Sequence, residues 1–154
     1  MAELKAGGAA FDLIKRFESL KLKAYRCPAG VWTIGWGHTG SPGHPVEAGD
    51  RITEEAAGEL LAADVARVEL DLPKVVGVPL NQNQWDALVS LCFNLRGGAL
   101  GLPRIAPRLF AKLNSGDYAG ASREMLDIDR ANGKVLPGLA RRRAAERELF
   151  VSEV

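Results

Sequence analysis

The sequence is poor in the residues that mark disulfide-rich, metal-binding or nucleic-acid-binding proteins. It contains two cysteines, Cys27 and Cys92, which are too few for a disulfide scaffold and are expected to be free thiols. Its two histidines, His38 and His44, have no nearby cluster of carboxylates or thiols, so neither a zinc site nor another cofactor is expected. Twenty basic residues against nineteen acidic ones leave a net charge of +1, which predicts no DNA or RNA partner.

Long apolar runs are missing as well. No run approaches the roughly 20 apolar residues of a membrane helix, so stable membrane insertion is not expected. The N-terminal segment has no unbroken apolar stretch of the kind found in a signal peptide, which predicts synthesis and retention in the cytosol. With 47% hydrophobic and 25% charged residues, the 154 residues are expected to form a single domain with a substantial core.

The N-terminal part of the chain predicts a helix followed by a hairpin. Hydrophobic residues at helical spacing predict an amphipathic helix over residues 11–20, with Glu18 near its C-terminal end. The aromatic and β-branched residues from Lys21 onward are interrupted by Pro28-Ala29-Gly30, which predicts a β-hairpin. Alternation along its second strand predicts a bulky face with Trp32, Ile34 and Trp36, and an open face with Thr33, Gly35 and Gly37.

The rest of the chain predicts mostly helices. After a loop over residues 39–51, Thr53 is the expected N-cap of a helix that runs to about Leu72, and Asn81 with Gln84 predicts a capping box. Further helices are predicted over residues 107–113, 118–129 and 139–150. The expected fold class is α+β, with a cleft between two lobes: a small β-hairpin lobe of about residues 20–55, and a helical lobe of residues 1–19 and 56–154.

Three reactive side chains are expected at the junction of the first helix and the hairpin. Glu18, Cys27 and Thr33 bring a carboxylic acid, a thiol and a hydroxyl there. A carboxyl group beside Trp32 and Trp36 would be partly removed from water, which suits it to protonate the leaving oxygen of an acetal. Taken singly, each of the three has an ordinary explanation, as a solvated Glu, a packed Cys and a strand Thr.

Together with the residues that follow them, these three resemble a known signature. Glu18-x8-Cys27-x5-Thr33, with the segment TIGWGHTG over residues 33–40, resembles the signature of phage lysozymes of glycoside hydrolase family 24. The middle position is usually Asp in that family, and one branch carries Cys. Three later blocks are also similar, so that the resemblance covers residues 11–150: LNQNQWDALVSLCFNL (80–95), LNSGD (113–117) and PGLARRRAAERELF (137–150).

The resemblance implies a lysozyme-like fold and hydrolysis of bacterial peptidoglycan, at the β-1,4 bond between N-acetylmuramic acid and N-acetylglucosamine. It makes Glu18 the general acid, and it implies that Thr33 positions the opposing group or the attacking water. Cys27 then acts as base or nucleophile in place of the carboxylate, as a hypothesis, with Thr33 donating a hydrogen bond to it. The expected protein is a monomeric endolysin that reaches peptidoglycan from the host cytoplasm once a holin has permeabilised the membrane.

Substrate contacts are expected from Gly35, His38, Asn94 and Arg141, although a structural hydrogen bond explains His38 as well. One arginine of 141–143 is expected to pair with Glu18 or line the cleft, and Cys92 is assigned to the core. Two alternatives stay open. A lytic transglycosylase needs the glutamate but no partner that activates water, and a non-catalytic peptidoglycan-binding module would explain the absence of the usual Asp.

Overall fold

The computed structural model describes residues 4–41, 43–131 and 133–153. Within these ranges the α+β prediction is confirmed: most of the chain is helical, and the strands form three separate antiparallel pairs. The helices are α1 Gly8–Glu18, α2 Glu54–Val75, α3 Gln82–Asn94, α4 Leu102–Ile105, α5 Pro107–Asn114, α6 Tyr118–Met125 and α7 Pro137–Val151. The strands are β1 Lys21–Arg26, β2 Trp32–Gly35, β3 Gly40–Ser41, β4 His44–Pro45, β5 Arg130–Ala131 and β6 Lys134–Val135.

The end of helix α1 sets the position of Glu18. The helix buries Ala10 and Ile14 against the core and stops at Glu18, two residues earlier than predicted. The cause is Ser19, whose φ of +50° is a left-handed conformation that a helix cannot continue through. This break turns the chain directly into β1 and leaves Glu18 as the last residue of α1.

The hairpin forms as predicted around residues 28–30, with Tyr25 opposite Thr33 in its register. Its turn is closed by hydrogen bonds from Cys27 N to Val31 O at 3.0 Å and from Gly30 N to Cys27 O at 2.8 Å. Gly30 supplies the positive φ of +81° that this turn requires.

The predicted open face of the second strand is wrong beyond Thr33. β2 ends at Gly35, because Gly35 and Gly37 have φ values of +65° and +72° and cannot continue a strand. Residues 35–37 instead form a tight turn, closed by reciprocal backbone hydrogen bonds of 2.8 and 2.9 Å between Ile34 and His38. The predicted loop over residues 39–51 likewise contains β3 and β4, each too short to carry a strand pattern.

Helix α2 begins at its predicted cap, where the Thr53 hydroxyl accepts a hydrogen bond from Ala56 N at 3.1 Å. It continues through Pro73 to Val75, three residues further than predicted. It packs against β2, against α3 and against a 3-10 turn at Gly98–Gly101. No helix in the described ranges is both long enough and apolar enough to cross a membrane.

Helix α3 forms the centre of the core. Asn81 and Gln84 make the predicted capping box, and the helix is buried continuously from Trp85 to Cys92. It packs against α1 and α7, the two helices that carry the charged groups of the site. The later helices α5 and α7 were predicted within two residues at each end, but α6 ends at Met125 and not at residue 129, and the short α4 was not predicted.

Candidate active site

Glu18 is held at one carboxylate oxygen and open at the other. Its side chain is 18% exposed, and its Oε1 accepts a hydrogen bond from an Arg142 Nη at 3.0 Å. Its Oε2 lies against Gly37, where a Cβ atom would be only 2.5 Å away. Glycine is therefore required at position 37 for two reasons. Its φ of +72° disfavours other residues, and a side chain there would displace the Glu18 carboxylate.

Arg142 is the arginine of 141–143 that reaches Glu18, from a position 124 residues further along the chain. It is almost fully buried, and each of its nitrogens has a partner. Besides the bond to Glu18, its Nε donates to Glu146 Oε2 at 3.2 Å and its other Nη donates to the Ser90 carbonyl at 3.0 Å. A guanidinium group with its whole fork engaged has one orientation, which fixes Glu18.

A second layer of buried charge lies behind Arg142. Glu146 is inaccessible to solvent and also accepts hydrogen bonds from Ser90 Oγ and from an Arg143 Nη. Arg143 donates further to Asn94 Oδ1 and, through Nε, to Ile128 O at 2.8 Å. Burial lowers the pKa of the Arg143 guanidinium, and Glu146 partly offsets this.

Cys92 lies beside this layer as a neutral thiol, in agreement with its assignment to the core. Burial, followed by the charge of Glu146, raises its pKa to about 12. It is fully buried on α3, so it has neither the ionisation nor the access that a reactive cysteine needs.

Cys27 is in the opposite electrostatic situation. It is half-buried at the start of the hairpin turn, and the backbone N–H of Val31 lowers the pKa of its thiol. The backbone N–H of Ala29 and the Thr33 hydroxyl act in the same direction, and together they outweigh the effect of burial. The buried Thr33 hydroxyl has two acceptors within reach, this sulfur and the Val31 carbonyl at 2.9 Å. The turn thus favours a thiolate by hydrogen bonding.

Tyr25 connects the two halves of the site, although the sequence did not single it out. Burial raises the pKa of its phenol, and the charges of Glu18 and then Cys27 raise it further. Both groups therefore act on one side chain, which stands opposite Thr33 in the hairpin register. Tyr25 is therefore linked to all three residues proposed from sequence spacing, by charge to Glu18 and Cys27 and by register to Thr33.

The four predicted substrate contacts occupy different positions. Gly35 packs against Ala57 of α2 and against Ile52, which precedes that helix, and His38 is buried with its Nδ1 2.8 Å from Asp64 Oδ2. Asn94 binds Arg143 in the layer behind the site, and Arg141 is exposed. None of the four contacts Glu18 in the described hydrogen bonds, so their role toward substrate stays a prediction.

Sequence reasoning missed Tyr25, Ser90 and Glu146, and it placed Gly37 on an open strand face without relating it to Glu18. A signal existed for Glu146, because it lies four and three positions after Arg142 and Arg143, the spacing at which helical side chains meet. The described residues contain no group of three or more potential metal ligands. One surface depression lies between α1 and α7 and is not lined by Glu18, and the predicted cleft between lobes stays a prediction.

Comparison with known proteins shows that this chain is similar to phage lysozymes and endolysins. The phage lysozyme family model matches residues 15–146. The endolysin of Acyrthosiphon pisum secondary endosymbiont phage 1 is 49% identical over 144 residues, covering 91% of this chain and 93% of the relative. The endolysin of Salmonella phage P22 is 42% identical over 140 residues, covering 90% and 92%. The solved endolysin from Escherichia coli O157:H7 phage FAHEc1 superposes with a TM-score of 0.85 at 32% identity, covering 99% and 97%.

Proposed function

Because this chain belongs to the phage lysozyme family, we propose that it cleaves the β-1,4 bond between N-acetylmuramic acid and N-acetylglucosamine, with Glu18 as general acid. It is a peptidoglycan-hydrolysing phage endolysin of the lysozyme type, and its α+β fold is lysozyme-like. The observation that carries the proposal is the carboxyl group of Glu18, fixed at Oε1 by Arg142 and free at Oε2.

The two oxygens of Glu18 have different roles in this mechanism. Oε1 accepts the Arg142 hydrogen bond, so the proton resides on Oε2. Oε2 donates this proton to the glycosidic oxygen, and the bond from that oxygen to the anomeric carbon breaks with its electron pair on the oxygen. The missing side chain at Gly37 leaves space for Oε2 to reach the bond.

In the proposed mechanism, Cys27 acts from the hairpin side, either as a base or as a nucleophile. As a base, its thiolate takes a proton from a water molecule whose oxygen bonds to the anomeric carbon. As a nucleophile, its sulfur bonds to that carbon, and water releases the sugar in a second step. The lowered pKa of Cys27 supports either role, and the Thr33 hydroxyl stabilises the thiolate in both.

The products of digestion test the proposed bond and reaction type. Isolated sacculi are treated with the purified protein, and the released fragments are analysed by mass spectrometry. Hydrolysis leaves N-acetylmuramic acid at the new reducing ends, whereas 1,6-anhydro ends would identify a lytic transglycosylase and overturn the proposal. The lowered pKa of Cys27 favours hydrolysis, because a transglycosylase has no need for a group that activates water.

Two variants test the role of Glu18. Glu18→Gln keeps the shape but cannot donate the proton, so the rate of sacculus digestion should fall about 10²–10⁴-fold. Glu59→Gln removes an exposed carboxylate of α2 and serves as the matched control with unchanged activity. If the wild-type protein binds sacculi but clears permeabilised cells no faster than Glu18→Gln, the protein is a binding module and the catalytic proposal fails.

We also propose that the protein acts on glycan strands as a monomer and reaches them after a holin has permeabilised the inner membrane. Its likeness to endolysins over about nine-tenths of the chain supports this route. Expression in a Gram-negative host should cause lysis only when a holin is co-expressed or chloroform is added. Lysis without either would contradict the route, and a dimer in size-exclusion chromatography with light scattering would contradict the monomer.

A further inference from the structure

Behind Glu18 lies a buried charge cluster of Arg142, Arg143 and Glu146 that the proton transfer itself does not use. Their exposed fractions are 2%, 1% and 0%. Groups of this kind are rarely placed out of contact with water, because removing each charge from water is costly. The cluster stands directly against the proposed acid, since Arg142 belongs to both.

Glu146 is the centre of this cluster. It accepts a hydrogen bond from each guanidinium group, and Ser90 Oγ donates a further one. Its Oε2 accepts a hydrogen bond from Arg142 Nε, and an Nη of the same guanidinium group donates one to Glu18 Oε1. Any displacement of the Glu146 carboxylate is therefore passed to Glu18 through one rigid, planar group.

The charges in the cluster do not cancel without Glu18. Two arginines and one glutamate leave one positive charge, which an ionised Glu18 neutralises and a protonated Glu18 does not. Without the charge of Glu146, the buried cluster would carry two positive charges, that of Arg142 in contact with Glu18 and that of Arg143 behind it, and these favour the ionised form of the Glu18 carboxyl group. A general acid must carry its proton when substrate binds, so Glu146 favours the active state.

We propose that Glu146 is a positioning residue of the reaction, which acts through Arg142. It orients the guanidinium group that holds Glu18, and it balances one of the two buried positive charges so that Glu18 can keep its proton. This inference rests on the proposed function of Glu18 as general acid. It adds a residue that never touches the substrate.

The other groups around these carboxylates are few and named. On the Glu18 side, Tyr25 of β1 is a neighbour whose pKa is raised by burial and by the charges of Glu18 and Cys27. From α3, Ser90 Oγ donates a hydrogen bond to Glu146. Burial, followed by the charge of Glu146, raises the pKa of Cys92 to about 12, so this neighbour is a neutral thiol. Within the contacts described, the charge that Glu18 meets from the helical side is set by Arg142, Arg143 and Glu146.

The test follows the titration of Glu18 directly, by NMR of protein labelled with ¹³C at glutamate carboxyl carbons. The Glu18 signal is assigned by its loss in Glu18→Gln. Glu146→Gln should move the titration midpoint of Glu18 to lower pH by about one unit, whereas Arg143→Gln should move it to higher pH. Glu146→Asp keeps the charge on a shorter side chain. The titration midpoint of Glu18 should therefore stay near its wild-type value, while kcat falls about tenfold or more at unchanged KM.

The opposite directions of the two shifts separate this role from mere structural support, which would lower activity in both variants and move neither midpoint. Glu148→Gln removes an exposed carboxylate of α7 and is the matched control, with neither change expected. Near-ultraviolet circular dichroism verifies folding, and if Glu146→Gln does not fold, Arg143→Gln and Glu146→Asp carry the test. Unchanged midpoints, or shifts in the same direction, would overturn the inference. The proposed function fails separately, if Glu18→Gln digests sacculi as fast as the wild type.

Discussion

The two sides of the active site are held in place by different kinds of contact. On the helical side, Glu18 is held by Arg142 of α7, which lies 124 residues away in sequence and is itself fixed by Ser90 of α3. On the hairpin side, Cys27 is held by the backbone of its own turn, within four residues, and by Thr33. The helical side depends on correct packing of the whole core, whereas the hairpin side is largely complete once the turn has formed.

This difference predicts how each side responds to substitution. A change in the buried charge cluster leaves a charge without its partner and should damage folding and catalysis together. A change at the half-buried Cys27 leaves the backbone N–H groups able to bond to water and should damage catalysis alone. Measurements that separate stability from activity therefore test the comparison.

The largest expected effect is that of Arg142→Ala on the helical side. Glu146 would stay buried with one arginine fewer, and Glu18 would lose its hydrogen bond, so the free energy of unfolding should fall by about 3–5 kcal/mol. Chemical denaturation followed by tryptophan fluorescence measures this. Arg141→Ala is the matched control, because Arg141 is exposed and its loss should change stability by less than about 0.5 kcal/mol. Equal effects of the two substitutions would contradict the importance of the buried cluster.

On the hairpin side, Cys27→Ser should abolish nearly all activity, a fall of about 10²–10⁴-fold, with little loss of stability. A serine hydroxyl is not ionised near neutral pH and cannot replace the thiolate. Cys27→Asp restores an ionised group and should keep substantial activity. Digestion rates on sacculi and unfolding curves for both variants check the prediction, and full activity in Cys27→Ser would exclude a chemical role for the sulfur.

The same division explains how far sequence reasoning could reach. Glu18, Cys27 and Thr33 could be proposed as site residues because their spacing around the hairpin turn is local, and the helix caps at Thr53 and Asn81 were predicted correctly for the same reason. Each of the three site residues has an ordinary structural explanation when taken singly, and the family resemblance favoured a catalytic role instead. Local pattern was therefore sufficient for the hairpin side.

The helical side could not be predicted in the same detail. Which of three consecutive arginines meets Glu18 depends on the rotation of α7 against α3, which is set by tertiary packing. Alternation of bulky and small residues predicts a strand at residues 35–37, because this pattern does not reveal the positive φ that makes the segment a turn. Glu146 was missed because a glutamate beside arginines on a helix is ordinarily a solvated surface pair.

A smaller effect is expected at Gly37, where the two sides meet. Gly37→Ala places a methyl group against Glu18 Oε2 and forces alanine into a left-handed conformation, so activity should fall on the order of 10- to 100-fold. The strain should cost about 1–2 kcal/mol of stability. Gly116→Ala has the same kind of strain, with φ of +82° and no atom within 4 Å of its Cβ, so it should show the stability loss without the loss of activity. Equal activities in the two variants would show that Glu18 moves aside freely.

The smallest expected effect concerns how the hairpin holds its thiolate. The pKa of Cys27 is lowered chiefly by the backbone N–H of Val31, and Thr33 contributes less. Thr33→Val removes the hydroxyl at nearly constant volume, so it should raise the pKa of Cys27 only part of the way back to that of a free thiol. The pH dependence of alkylation by iodoacetamide measures this, with the buried Cys92 expected to react only after unfolding. If the alkylation midpoint of Cys27 in Thr33→Val equals that of free cysteine, a side chain and not the backbone of the turn stabilises the thiolate. Both sides of the site would then depend on side-chain contacts.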